Sequence, residues 1–266
     1  MTFLQADGVR LHVRVDGSAD RPALLFLNSL GTDLHMWDPQ VARLNERFRV
    51  VRFDARGHGR SDVPPGPYSL EDLGGDALAV LDGLWIGRAR VCGISQGGQV
   101  GMWLAAAHPE RVDRAVFAST ATRIGTTEAW DVRMRLVREE GMARVAEVAM
   151  GRFFTDRFRE EHPEIVQPMA DRVASMSAEG YAASCRAVRD ADLTDLVGSI
   201  RARCLVVVGR LDPGVTPEDA ARLRSRIPGS ELEVLEDASH LCNLEQPERF
   251  TALVRRFVDR SNEEDR

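Results

Sequence analysis

The sequence predicts an α/β protein with a mostly parallel central sheet, helices on both faces and an inserted helical cap. Three observations carry that reading. Short apolar runs at 23–27, 48–53, 89–92, 112–118 and 204–208 alternate with longer segments of helical spacing such as 69–84 and 96–107. Such alternation argues for parallel strands covered on both sides. Between 121 and 195 the pattern turns helical only, through 128–144, 145–154 and 163–176. A parallel crossover needs only about a dozen residues, so this much longer stretch is expected to be an insertion. The third observation is a glycine-rich turn, Gly93-Ile94-Ser95-Gln96-Gly97-Gly98, set between an apolar run and a helix-like segment. The expected organisation is therefore a sheet domain from 1–120 and 196–266 with a cap at 121–195.

Each element has a local signature. Residues 9–15 alternate with period two, which suits an edge hairpin strand with one wet face. The run 23–27 is a buried strand, and Asn28-Ser29-Leu30-Gly31 is the turn after it. After 48–53 comes the turn Asp54-Ala55-Arg56-Gly57-His58-Gly59-Arg60-Ser61, in which His58 reads as structural. The strand 112–118 leads to Ser119 and Thr120, with no carboxylate. The strand 204–208 leads to Gly209-Arg210-Leu211-Asp212-Pro213. Residues 232–235 alternate like a last, partly exposed strand, and Glu236-Asp237-Ala238-Ser239-His240 follows. The polar tail 261–266 is expected to be disordered.

The turn at Ser95 has the form of a nucleophile elbow, a sharp strand-to-helix bend that lifts a serine clear of the sheet. A serine hydroxyl is a weak nucleophile at neutral pH and needs a base. An acid and a histidine follow in the chain order serine, acid, histidine used by α/β-hydrolases, each after its own strand. Asp212 lies where ligand groups collect, at the carboxyl end of a buried strand. His240 is the candidate general base; His12, His35, His108 and His162 lack that context. Asp237, three residues before His240, would have to fold back on it, which leaves Asp212 to hold the imidazole tautomer. Backbone N–H groups of Gln96, after the nucleophile, and of Leu30, after an early strand, are the candidate oxyanion hole. Asn28 and Ser29 are candidate substrate contacts.

Composition excludes several other classes. A net charge of -6 with no basic block disfavours nucleic acid. All 35 basic residues are arginine, so chemistry through a lysine Schiff base is excluded. The four cysteines, Cys92, Cys185, Cys204 and Cys242, are too widely spaced for a zinc site or a disulfide scaffold. Cys92 and Cys204 read as core residues, and Cys242 as reachable by thiol reagents. The N-terminus lacks a basic start and a cleavage site, and no apolar run reaches membrane-spanning length. The expectation is a soluble, cytoplasmic protein with a small-molecule ester or lactone substrate, no cofactor, no metal, and no nucleic-acid or membrane partner. A homo-oligomer is left open.

Longer segments carry a resemblance. Phe26-Leu27-Asn28-Ser29-Leu30-Gly31-Thr32-Asp33 with Met36-Trp37-Asp38-Pro39, the stretch 56–68, the cap segment Thr122-Arg123-Ile124-Gly125-Thr126-Thr127-Glu128-Ala129-Trp130, and Gly180-Tyr181-Ala182-Ala183-Ser184-Cys185 are similar to 3-oxoadipate enol-lactonases of the β-ketoadipate pathway. Asn243-Leu244-Glu245-Gln246-Pro247 extends the likeness to almost the whole chain. The resemblance implies attack of Ser95 on a lactone carbonyl, expulsion of an enolate that tautomerises to a ketone, and hydrolysis of the acyl-enzyme with His240 as base. It also implies a substrate carboxylate, for which Arg123, Arg133 and Arg138 in the cap are candidates, with Trp130 as an apolar wall.

The chain departs from these enol-lactonases at two positions. Gln96 stands where they usually have methionine, and Trp85, in Leu84-Trp85-Ile86-Gly87, where they generally have a glycine that would end a helix. Trp85 is expected to pack or to form an interface. The rival readings are another α/β-hydrolase activity (carboxylesterase, carbon–carbon bond hydrolase or cofactor-free perhydrolase) and a slow-turnover ligand-binding regulator of the same fold.

Overall fold

A computed structural model describes residues 2–260; the tail expected to be disordered, 261–266, lies outside the described residues. Eight strands form one sheet: β1 (Thr2–Ala6), β2 (Val9–Asp16), β3 (Ala23–Leu27), β4 (Arg49–Phe53), β5 (Ala89–Ile94), β6 (Val112–Ala118), β7 (Arg203–Gly209) and β8 (Glu231–Leu235). Their spatial order is β1-β2-β4-β3-β5-β6-β7-β8. The β1/β2 and β2/β4 pairs are antiparallel and every later pair is parallel. Residues 9–15 are therefore not the edge. Thr2–Ala6 takes that position, pairing Thr2 with Val13 and Ala6 with Val9, and β2 lies inside the sheet.

The helices are α1 (Asp38–Leu44), α2 (Leu70–Gly83), α3 (Gln96–Ala107), α4 (Thr127–Phe153), α5 (Asp156–Glu161), α6 (Pro163–Ala174), α7 (Ala178–Asp190), α8 (Pro217–Arg226), α9 (Cys242–Glu245) and α10 (Pro247–Asp259). Helix α2 starts at a capping box, with Ser69 and Asp72 each accepting the other's backbone N–H. Helix α8 starts the same way at Thr216 and Asp219. Between them the strands bury continuous apolar sequence: Val91, Cys92, Ile94, Val116, Phe117, Val207 and Val208 are all fully enclosed. Each such side chain contributes about 1.5–3 kcal/mol through burial. None of the described helices is long and apolar enough to cross a membrane.

Helices α4 to α7 occupy the stretch between β6 and β7. The break inside the longest one is not at 144/145, where the sequence suggested it. It falls at Gly141, whose φ of 77° and ψ of 179° interrupt the helix and separate residues 127–140 from 142–153. Trp85, two residues past the end of α2, takes the left-handed φ of 57° that a glycine would adopt without strain, and at 94% exposed it does not pack on the protein.

Candidate active site

The carboxyl ends of β3, β5, β6, β7 and β8 lie side by side, with Leu27 opposite Gly93, Ile94 opposite Ala118, Ala118 opposite Val207 and Gly209 opposite Leu235. Every sequence-derived candidate in the sheet domain therefore emerges at one edge. Ser95 follows β5 directly. Its φ of 57° and ψ of -118° are a strained backbone for a residue with a side chain, at a cost of about 1–3 kcal/mol. Neighbouring contacts hold it there. Its N–H donates to the Ala118 carbonyl at 2.9 Å, and its own carbonyl accepts from Gln99 N–H at 3.0 Å and Thr120 Oγ1 at 2.8 Å. The bend is so tight that a Cβ on Gly93 would stand 2.2 Å from the Gly97 carbonyl oxygen, and one on Gly97 equally close to that of Leu27.

Gln96 is the first residue of α3, so its N–H has no acceptor inside the helix and points from the positive end of the helix dipole. Among the described residues the Leu30 N–H also has no acceptor. The neighbouring Gly31 N–H donates to His58 Nε2 at 3.1 Å, while His58 Nδ1 lies 3.2 Å from the Arg56 carbonyl. That pairing requires a neutral ring with its proton on Nδ1. Burial keeps it so by pushing the His58 pKa down, against the opposing pull of Asp54 and Asp33. His58 is structural, and the structure it supports is the turn that carries Leu30.

Asp212 and His240 meet directly, with Oδ2 2.7 Å from Nδ1. The other carboxylate oxygen of Asp212 accepts from the N–H groups of Gly214 at 2.8 Å and Val215 at 3.1 Å, which fixes the plane of the group. Hydrogen-bonded at Nδ1, the imidazole keeps Nε2 free to take a proton. Asp237 is exposed and takes no part. Ser95, Asp212 and His240 are 7%, 4% and 4% exposed, roofed in part by α4, whose Phe153 ring stacks at 6.0 Å from the His240 ring, and by α7, whose Ser184 carbonyl accepts from the Gln96 side chain.

That roof is built from α4 and α7. Trp130 is buried, donates Nε1–H to the Ile124 carbonyl, and lies under the Arg133 guanidinium at 5.2 Å from the ring centre. The same guanidinium lies 5.5 Å from the Tyr181 ring, and the buried Tyr181 hydroxyl has no hydrogen-bond partner. Burial pushes that hydroxyl's pKa up to about 12, with Arg133 pulling the other way. A second guanidinium, Arg152, reaches the same space. Its Nη2 lies 2.7 Å from where a Cβ on Gly214 would stand, a point itself 3.5 Å from Asp212 Oδ1. Burial and then the charge of Arg133 lower the Arg152 pKa from its ordinary value. Neither arginine forms an ion pair with a carboxylate among the described residues. Two half-buried guanidiniums thus act on one another here, and the charge of Asp212 also acts on Arg152.

Other sequence candidates are placed differently. Arg123 is half exposed and paired with Asp192 at 3.0 Å, and Arg138 is on the solvent face of α4. Asn28 spends both ends of its amide inside the protein, donating to the Phe53 carbonyl at 2.8 Å and accepting from Trp37 Nε1 at 3.0 Å; it supports the turn and is not free for substrate. Ser29 is buried beneath the same turn, its carbonyl accepting from Thr32. The Gln96 side chain turns to α7 and donates to the Ser184 carbonyl at 3.3 Å, tying the elbow to the roof. Cys242 is not accessible: it is fully buried and burial pushes its pKa up to about 12. Among the described residues no group of His, Cys, Asp and Glu could hold a metal ion.

A serine on a strained strand-to-helix bend, a buried carboxylate–imidazole pair and a mostly parallel eight-stranded sheet define an α/β-hydrolase. A family model of the alpha/beta hydrolase fold matches residues 22–247. The chain is 45% identical to 3-oxoadipate enol-lactonase 2 of Acinetobacter baylyi, over 97% of both chains. The crystal structure of the enol-lactonase from Burkholderia xenovorans LB400 superposes with a TM-score of 0.96 at 41% identity, over 97% of this chain and all of that one. A thermophilic esterase from Thermogutta terrifontis superposes at 0.89 with 30% identity, over 97% of each chain. The protein belongs to the 3-oxoadipate enol-lactonase family of the α/β-hydrolases and is a carboxylic-ester hydrolase.

Proposed function

We propose that the protein opens 3-oxoadipate enol-lactone to 3-oxoadipate through an acyl-enzyme on Ser95, as a step of the β-ketoadipate pathway, with residues 121–195 acting as a cap. His240 Nε2 takes the Ser95 proton as Oγ attacks the lactone carbonyl, and Asp212 stabilises the imidazolium. The tetrahedral oxyanion is held by the Leu30 and Gln96 N–H groups, donors that each account for roughly 10²–10³ in rate in such sites. Collapse breaks the ring C–O bond and expels the enolate, which takes up a proton and becomes the ketone while its chain stays esterified to Ser95. Water, deprotonated by His240, then attacks the ester, and Ser95 regains its proton as 3-oxoadipate leaves. No redox partner or metal enters this balance.

What supports the choice of substrate is the pair Arg133 and Arg152, two half-buried guanidiniums with no ion-pair partner within 4 Å among the described residues, Arg152 reaching the loop that carries Asp212. The lactone retains one carboxylate outside its ring, and a bidentate or paired guanidinium contact would orient it. A simple ester has no such group. The test is hydrolysis of 3-oxoadipate enol-lactone by the purified protein, with Ser95→Ala and a short-chain nitrophenyl ester run beside it. Rapid, serine-dependent loss of the lactone supports the proposal. Turnover of the ester alone would assign a carboxylesterase, and turnover of neither would favour a ligand-binding protein.

A further inference from the structure

The peptide just before His240 and the far end of the long roof helix share one carboxylate. Glu245 Oε2 accepts the N–H of Ser239, while its Oε1 accepts both the N–H and the Oγ1–H of Thr155, each at 2.8 Å. Thr155 stands two residues after the end of α4 and caps α5. The same junction is stitched twice more. Ser239 Oγ donates to the Arg152 carbonyl at 3.0 Å, and the Leu241 N–H donates to the Phe153 carbonyl at 2.9 Å. The Phe153 ring lies parallel to the His240 imidazole, at 10° and 6.0 Å between centres. The residues on both sides of His240 are thus bonded to the last turn of α4, which also carries Arg152.

We propose that Glu245 is a positioning residue whose two-oxygen clasp makes the His240 loop and the 142–153 half of α4 a single body, setting the general base and the Arg152 guanidinium in register. A loop of this kind would otherwise sample several backbone positions, and a displacement of about 1 Å at a reacting group can cost roughly 100-fold in rate. The clasp needs a group with an acceptor on each side. Glutamate supplies both oxygens; a glutamine would turn its NH₂ against either Ser239 N–H or the Thr155 donors. The roof beyond the Gly141 break, with Trp130 and Arg133, has no share in these contacts.

The inference rests on Ser95 and His240 being the reacting pair, though not on the identity of the lactone. The experiment therefore uses a fluorophosphonate, which titrates competent Ser95 without needing the roof cations, and a neutral nitrophenyl ester. Labelling of the wild type and not of Ser95→Ala, together with slow labelling of His240→Ala, establishes the pair; absence of wild-type labelling would overturn the proposed active site itself. Given labelling, Glu245→Gln should lower kcat per titrated site about 10- to 100-fold and leave KM within about threefold, as expected for a misplaced base. A fall only in melting temperature, with unchanged kcat per titrated site, overturns the clasp. Thr155→Val, which removes the hydroxyl donor to Oε1 and leaves the Thr155 N–H in place, provides a milder variant should Glu245→Gln not fold: kcat per site should fall by a smaller factor in the same direction, and an unchanged value overturns the proposal. Where both fold, the double variant should be no slower than Glu245→Gln alone, because the two changes remove one linkage; additive losses would mark independent defects.

Discussion

His58 Nε2 accepts the Gly31 N–H at 3.1 Å, so a buried neutral imidazole fixes the turn that presents Leu30. The bond exists only while Nε2 keeps its lone pair. His58→Gln, which can still accept, should retain most activity, whereas His58→Leu should lose roughly 10- to 100-fold in kcat, the scale of a disturbed oxyanion donor. Steady-state kinetics of the two variants decide this. Burial holds the His58 pKa below its ordinary 6.5, so the unfolded chain takes up a proton that the folded one refuses. That difference removes stability as pH falls below about 6.5. Urea unfolding between pH 7 and pH 5 should show a shallower loss for His58→Gln than for the wild type.

Asp212→Asn should fold normally and leave Ser95 in place, since the backbone donors of Gly214 and Val215 can still be met by the amide oxygen. The imidazole would then lose its acceptor at Nδ1 and settle in the wrong tautomer, with an expected drop of about 10⁴ in kcat. A drop smaller than about tenfold, in burst and steady-state assays, would remove Asp212 from the reaction.

Arg133→Met and Arg152→Met should each lower kcat/KM for the lactone by roughly 10- to 100-fold, the equivalent of one charged hydrogen bond of about 1.5–3 kcal/mol. The neutral nitrophenyl ester should be hydrolysed as before. Equal losses on both substrates would reassign these arginines to folding of the roof.

Trp85→Gly should stabilise the protein. Tryptophan there bears a left-handed φ of 57° with almost its whole side chain in water. Relief of about 1–2 kcal/mol of backbone strain, offset by the freedom glycine adds to the unfolded chain, leaves a net gain of about 0.5–1 kcal/mol. Equilibrium unfolding measures it, and activity should not change.

The parallel strands were legible because burial on both faces demands continuous apolar runs, and 112–118 and 23–27 coincide with β6 and β3 to the residue. Thr2–Ala6 was missed because an edge strand is half wet: Thr2, Phe3 and Gln5 are exposed, and five residues show little period. Ser95, Asp212 and His240 could be nominated because each stands just beyond a strand, where chain order alone brings them to one edge. Arg152 could not. Helical spacing tells which face a residue occupies but not that the face looks inward over a serine, and arginine in a helix ordinarily reads as solvated. Arg123 drew attention for its place in a resembling segment, yet Asp192, 69 positions later, neutralises it. Glu245 was visible only inside a resembling stretch, since its partners at Thr155 lie 90 positions away.

The two unpaired guanidiniums also bear on what happens after the chemistry. In the proposed reaction the lactone arrives with one negative charge and 3-oxoadipate departs with two, so a site that draws in the first would hold the second more tightly. Turnover would then be governed by the escape of the dianion from the site, and not by bond breaking. Added salt, by screening that attraction, would speed the enzyme at saturating lactone while weakening its capture of dilute lactone.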